Sequence, residues 1–206
     1  LRCLPNVVAM APKDEDELAD MMFTATHQNH PTFIRYPRGA AEGVPIKDQP
    51  KLLEIGKAEV IQNFSNNGKR KVALFGLGPL NTLARKAAEQ LAAEGYDCAV
   101  VNPRFTKPLD AGMHEFFGNA ADVVLTLEDH ALMGGYGSAV LELFSEKGVT
   151  TPVLRIGWPD QFIEHATSQD ELRKKYGLTV ENIIVKVKAQ FNDTTTSKVT
   201  RLIEVA

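Results

Sequence analysis

Two short stretches of the chain carry residue types whose spacing could do chemistry. The first is Arg35-Tyr36-Pro37-Arg38-Gly39, where two guanidinium groups stand three residues apart after an apolar, strand-like run. A guanidinium presents a planar fork of donors that matches a phosphate bidentately, and Pro37 and Gly39 would fix the exit of the backbone so that Arg38 points across a cleft. The same pair could equally make salt bridges at a domain boundary, and spacing alone does not choose between these uses. The second stretch is Glu128-Asp129-His130 followed by Met133-Gly134-Gly135-Tyr136-Gly137, placed between a strand and a helix. Glu, Asp and His together could form an acid-base set, and the glycines could open backbone amides to an anion at the helix start. The preferred reading is structural: a tight turn whose carboxylates cap it or meet a neighbouring subunit.

Other chemistry-bearing residues read more plainly. Gly76-Leu77-Gly78-Pro79 sits where a dinucleotide-binding loop would lie, but position 81 is Asn rather than the third glycine and the next strand ends in Val100-Val101-Asn102 without an acid. A turn is the better reading, with Asn81 capping the helix. His27 and His30 lack an identifiable third metal ligand and suit a helix terminus. His114 and His165 are expected at the surface or in polar contacts, and Asp160 in a turn. Cys3 and Cys98 are far apart, in apparently strand-like or buried surroundings, and suggest no disulfide or metal site.

These residues need a scaffold, and the pattern supplies one. Val7–Met10 reads as a buried strand, Asp14 as the cap of a helix through Ala25, and Pro31–Arg38 as a second strand. This crossover unit is too small to close a sheet by itself. Residues 39–55 read as a linker. A hairpin is predicted across Asn66-Asn67-Gly68, from Lys57–Phe64 to Lys71–Phe75. Helices then alternate with strands: a helix near Asn81–Glu94, a strand at Cys98–Asn102, a helix near Gly112–Phe117, a strand at Asp122–Leu127, a helix near Tyr136–Glu146 and a strand at Val153–Ile156. Helices at Gln169–Tyr176 and Val180–Phe191 follow. The fold class is therefore α/β, a mostly parallel sheet with helices on both faces. The divisions expected are 1–38, linker 39–55, domain 56–191 and a polar tail 192–206.

With 206 residues, 44% hydrophobic and 24% charged, the chain can bury a sizeable core. A net charge of −3, with scattered basic residues, argues against a nucleic-acid partner or an anionic membrane surface. No apolar run approaches the roughly 20 residues of a membrane span. A reducing cytoplasm is the expected setting. The start at Leu1 suggests a processed product or a fragment.

Taken together, several segments resemble the 1-deoxy-D-xylulose-5-phosphate synthases of the transketolase superfamily. They are Leu1-Arg2-Cys3-Leu4-Pro5-Asn6, Ala11-Pro12 with Asp14-Glu15, Phe33 to Gly39, Ile55-Gly56-Lys57, and Arg104-Phe105 with Lys107-Pro108-Leu109-Asp110. Glu128 to Ala131 with Met133 to Ser138, and Ile156-Gly157-Trp158-Pro159-Asp160 with Phe162-Ile163, complete the set. The resemblance runs in order from Leu1 to about Phe191. It implies that residues 1–38 end a pyrimidine-binding α/β domain and that 56–191 form a transketolase-like carboxyl-terminal domain.

It further implies a thiamine diphosphate- and Mg2+-dependent transferase. That enzyme joins pyruvate to glyceraldehyde 3-phosphate with loss of carbon dioxide, for isoprenoid, thiamine and pyridoxal phosphate synthesis. The cofactor would be held mainly by parts of the enzyme outside this sequence. Arg38 matches the arginine that grips the substrate phosphate, with Arg35 in support. Glu128, Asp129, His130, Gly134, Gly135 and Gly137 would belong to a domain or subunit interface, in a homodimer of the cytoplasm or, in a plastid-bearing organism, the plastid. A non-catalytic dimerisation module, or the carboxyl-terminal subunit of a split transketolase or 2-oxo acid dehydrogenase, stands as the alternative.

Overall fold

A computed structural model describes residues 1–39, 41–165 and 167–203. Its main sheet has five strands: β3 (Glu59–Gln62), β4 (Lys71–Gly76), β5 (Asp97–Asn102), β7 (Val123–Ala131) and β8 (Val153–Trp158), in the order β3-β5-β4-β7-β8. All neighbours are parallel except β3, which runs antiparallel on the edge beside β5. Because side chains alternate across a strand, β4 feeds two cores. Val72 and Leu74 pack with α2 (Leu80–Ala93) and α6 (Val180–Ile203) through Leu80, Ala84, Leu91, Ile183 and Val187. Ala73 and Phe75 pack with α3 (Ala111–Ala120) and α4 (Tyr136–Lys147) through Phe117, Val140 and Phe144. This is the two-faced α/β layer that the alternation of elements predicts.

Pairing departs from expectation at the entry to the domain. Asn66 and Gly68 do adopt the positive φ values of a turn, 54° and 76°. However, β3 and β4 form no hairpin. Both edges of β4 are taken by β5 and β7, so β3 pairs outside β5, with Val60 opposite Val101. The turn is tethered instead by Asp97, whose carboxylate accepts from the amides of Ser65 and Asn66 at 2.8 Å each.

Asn81 does not cap α2. The helix starts at Leu80 after Pro79, and the Asn81 amide Nδ2 donates to the Gly78 carbonyl at 3.0 Å. The close approach of helix to strand is provided by Gly76, where a Cβ would lie 2.8 Å from the Asn81 Cα. The expected tail also differs. α6 continues to Ile203, since nothing between positions 192 and 203 is a proline or glycine that would stop it; residues 204–206 lie outside the described residues.

The amino-terminal segment forms β1 (Val8–Met10), α1 (Glu15–Thr26) and β2 (Thr32–Ile34), with β1 and β2 parallel. Asp14 caps α1 by accepting from the Glu17 amide. A third strand, β6 (Phe105–Lys107), comes from the second part of the chain and pairs antiparallel with β1, so the small core of Val8, Met10, Met21 and Phe105 is shared.

The stretch predicted as a linker has no helix or strand over residues 41–55, yet it is not free. The α1 side chains accept from its backbone in turn. Glu15 takes Gly43 and Val44 at 2.7 and 2.8 Å, Asp16 takes Lys47 at 2.9 Å, Asp20 takes Lys51 at 2.6 Å and the Thr24 hydroxyl takes Leu53 at 2.9 Å. Amides of an exposed to half-buried segment, which a strand would pair, are thus satisfied by a helix face.

Candidate functional site

The two stretches singled out from sequence meet at the carboxyl end of β7. That strand runs on to Ala131 instead of ending near Leu127, so Glu128, Asp129 and His130 stand in the strand itself.

Glu128 is fully buried and turns toward the start of α4. Its Oε2 accepts from the Tyr136 amide at 2.6 Å and its Oε1 from the Gly137 amide at 3.1 Å. The anion that the glycine turn could bind is therefore the protein's own carboxylate, which satisfies two of the open donors of a helix whose Gly135 cap has no side chain. The glycines follow from this. A Cβ on Gly135 would collide with Glu128 Oε2 and lie 2.7 Å from the Ala131 carbonyl oxygen, and one on Gly137 would lie 2.9 Å from Oε1. Gly134 contributes the positive φ, 68°, that turns the chain.

Burial raises the Glu128 carboxyl to about 7, against the lowering effect of the two amides. His130, whose Nδ1 lies 3.1 Å from Glu128 Oε2, is lowered by burial. Burial thus disfavours the charged form of both groups, which argues against a fixed ion pair between them.

Asp129 faces the opposite way and serves a different set of donors. Its Oδ1 accepts from the Trp158 indole at 2.8 Å, and its Oδ2 from Arg173 at 2.8 Å and Gln169 at 3.1 Å. Gln169 and Arg173 belong to α5 (Gln169–Lys175), and Ser168 caps that helix. Arg35 reaches the same point. Its Nη2 donates to the Asp129 main-chain carbonyl at 2.6 Å and lies 3.6 Å from Oδ2. Burial opposes ionisation here, but Arg173, then Arg35 and the Trp158 indole, hold the carboxyl below its ordinary range.

The two arginines therefore do not form one fork. β2 ends at Ile34, so the Arg-Tyr-Pro-Arg-Gly stretch lies beyond the strand, with Arg35 engaged at Asp129 and Arg38 exposed. Arg38 makes no hydrogen bond or ion pair among the described residues. It lines a cavity of about 610 Å³ together with Lys13, Asp14, Tyr36, Gln169 and Arg173. Arg35 and His130 line a second, of about 620 Å³, floored by Met10, Phe33 and Ile34.

A third cluster escaped the sequence reading. Glu17 is buried and accepts from Arg104 Nε at 2.6 Å, from Asn102 Nδ2 at 2.9 Å and from the Lys13 amide at 2.8 Å. The signal was available. Positions 17, 20, 21 and 24 of α1 are buried at the spacing of a core face, and two of them are acids.

His114, expected at the surface or in a polar contact, is fully buried. It stacks on Phe75 and bonds the Asp110 carbonyl and the Tyr136 hydroxyl at 2.7 Å each, and burial lowers it to about 4. It is a neutral packing histidine. Cys3 is exposed and outside any strand, since β1 begins only at Val8; Cys98 is buried in β5, which pushes its thiol up to about 12. His27 caps the end of α1, where its Nδ1 bonds the Phe23 carbonyl.

The described residues do not fit a diphosphate with its divalent ion. No three His, Cys, Asp or Glu side chains among them converge as ligands, and the amide cradle at the start of α4 is filled by Glu128. No helix among them is long and apolar enough to cross a membrane.

Comparison with known proteins agrees with this architecture. Residues 58–183 match the family described as transketolase, C-terminal domain, and the chain belongs to that family. More particularly, it is 50% identical over 184 residues to the 1-deoxy-D-xylulose-5-phosphate synthase of Methylacidiphilum infernorum, which covers 89% of this chain and 28% of that protein. It is 49% identical over 187 residues to the synthase of Acidobacterium capsulatum, 91% of this chain and 29% of that protein. The chain thus spans under a third of the length of these relatives. A solved structure described as a split gene transketolase, inactive beta4 tetramer, superposes with a TM-score of 0.79 at 31% identity, covering 91% of this chain and 59% of that one.

Proposed function

We propose that the chain is the carboxyl-terminal part of a thiamine diphosphate-dependent synthase that condenses pyruvate with glyceraldehyde 3-phosphate, releasing carbon dioxide, to give 1-deoxy-D-xylulose 5-phosphate. The identity of about half its residues with enzymes of that name supports the reaction. Within the geometry, the observation that carries the reading is Arg38: an exposed guanidinium with no described partner, set on the wall of a cavity large enough for a phosphorylated triose. A free guanidinium suits a phosphate because a charge-assisted, bidentate contact is worth more than a neutral hydrogen bond.

The cofactor diphosphate and Mg2+ are assigned to the portion of the enzyme outside this chain, and the working enzyme to a cytoplasmic homodimer. The same portion would complete the sheet of β1, β2 and β6 at the free edge of β2.

Replacing Arg38 with Ala in the intact enzyme tests the assignment. The KM for glyceraldehyde 3-phosphate should rise on the order of ten- to a hundredfold, as for loss of a hydrogen bond to a charged group, with the KM for pyruvate within about twofold. Equal effects on the two substrates would overturn the phosphate role. The likeness to a split gene transketolase favours a second reading, a separate subunit that needs its partner chain. Activity that appears only on mixing this chain with a separately encoded cofactor-binding subunit would decide for it.

A further inference from the structure

We infer that Asp129 is a positioning residue for Arg38, so that the transketolase carboxyl-terminal domain sets the enzyme's hold on the substrate phosphate without touching it. The inference rests on the phosphate role proposed for Arg38.

Asp129 has 4% of its surface exposed, and each of its three oxygens accepts a hydrogen bond. Trp158 and Arg173 fix its two carboxylate oxygens, while its main-chain carbonyl receives Arg35 at 2.6 Å. Arg35 is therefore pinned at both ends, its amide donating to the Met10 carbonyl at 2.8 Å and its guanidinium to the main chain of a residue whose carboxylate is held from two sides. From Arg35 the chain has little freedom before Arg38. Pro37 has its φ locked by the ring, and the residue before a proline, here Tyr36, is confined to extended conformations. An anchored arginine followed by two stiff residues acts as a short arm, and its end is the Cα of Arg38.

Part of the lining of the Arg38 cavity depends on the same residue. Gln169 and Arg173 both line that cavity and both donate to Asp129 Oδ2, at 3.1 and 2.8 Å. The carboxylate thus holds this part of the lining directly and faces the Arg35 guanidinium at 3.6 Å, while the main-chain carbonyl of the same residue accepts from Arg35. Removing the carboxylate charge would leave the Arg35 and Arg173 guanidinium groups without their shared counter-ion, so that the Arg35 side chain would keep only the main-chain carbonyl of position 129. Arg38 would keep its guanidinium but lose its preorganised place, which weakens the substrate hold without altering the chemical step.

The test compares Asp129→Asn, Arg38→Ala and the double variant in the intact enzyme. Asn keeps the shape of Asp and an acceptor for Trp158. Asp129→Asn should raise the KM for glyceraldehyde 3-phosphate on the order of five- to tenfold, with kcat and the KM for pyruvate within about twofold. The double variant should be no worse than Arg38→Ala alone, because two residues acting through one group are not additive.

If Asp129→Asn does not fold, Arg35→Lys decides. It leaves Asp129, Trp158 and Arg173 in place but removes the guanidinium geometry, and should show the same selective rise. Additive effects, or a loss felt equally by both substrates, would overturn the positioning role. Arg38→Ala with no selective effect would instead remove the phosphate reading beneath it. A strong Arg38→Ala effect with silent Asp129→Asn and Arg35→Lys would overturn the inference alone.

Discussion

Glu128 and Asp129 are consecutive acids on one strand, buried alike, and their carboxyls are shifted in opposite directions. Glu128 is raised by burial to about 7, although two main-chain amides and the charges of Arg155 and Arg2 act against that rise; Asp129 bonds a guanidinium and an indole directly, with a second guanidinium beside it, and is lowered. Alternation of side chains across β7 sends one toward the start of α4 and the other toward α5 and the amino-terminal segment. The first closes the domain on itself. The second joins the domain to residues that precede it by more than ninety positions. Burial alone therefore does not decide the charge of an acid; the donors that share its pocket do.

The contrast is broken most severely on the Glu128 side. In Gly135→Ala the new Cβ would strike the Glu128 carboxylate and the Ala131 carbonyl, where backbone cannot yield, and a loss of about 3 kcal/mol or more is expected. Urea denaturation would show a collapsed midpoint or no folded protein, whereas an unchanged midpoint would mean that the carboxylate is not held there.

A pH series sharpens the comparison next. Because the folded Glu128 carboxyl lies above its unfolded value, the native state binds more protons between roughly pH 4.5 and 7. Its contribution is complete below that window and lost as pH rises through about 7, amounting to about 3 kcal/mol at most. Glu128→Gln should flatten the fall in urea midpoint between pH 5 and pH 8 relative to the parent. Equal slopes would place the Glu128 carboxyl in the ordinary carboxylate range.

The smallest effect belongs to Arg38→Ala. With no described partner to lose, the variant should unfold within about 0.5 kcal/mol of the parent, even though the phosphate role proposed for Arg38 predicts a large change in KM for the phosphorylated substrate. A larger destabilisation would show that Arg38 holds the fold as well as a ligand.

Where an element rests on its own periodicity, the sequence reading and the structure agree closely. α1 with its Asp14 cap, α4 and the buried strand β5 all fall within a few residues of their predicted bounds. The parallel α/β architecture was legible for the same reason. What was not legible depends on distant partners. β6 is three residues between Pro103 and Pro108, too short for a period, and exists because β1 offers it an edge. The predicted hairpin failed because a good local turn does not decide which edge a strand will join.

The site shows the same division. The glycine turn and both acids could be recognised as a unit, and so could Arg35 and Arg38. That Arg35 serves Asp129 while Arg38 faces a separate cavity required the contacts of Trp158, Gln169 and Arg173, none of which carries a local signature.

The acids of α1 have a consequence for chain length. From Glu15 to Thr24 the helix climbs about 14 Å at 1.5 Å per residue, whereas the segment from Gly43 to Leu53 could reach about 33 Å if drawn out. The connector therefore carries slack between its points of attachment. Extra residues between Val44 and Lys47, or between Lys47 and Lys51, would enlarge a surface loop at little entropic cost. A change of length within α1 itself would carry its carboxylates past the amides they hold, so variation in length is tolerated on one side of this contact and forbidden on the other.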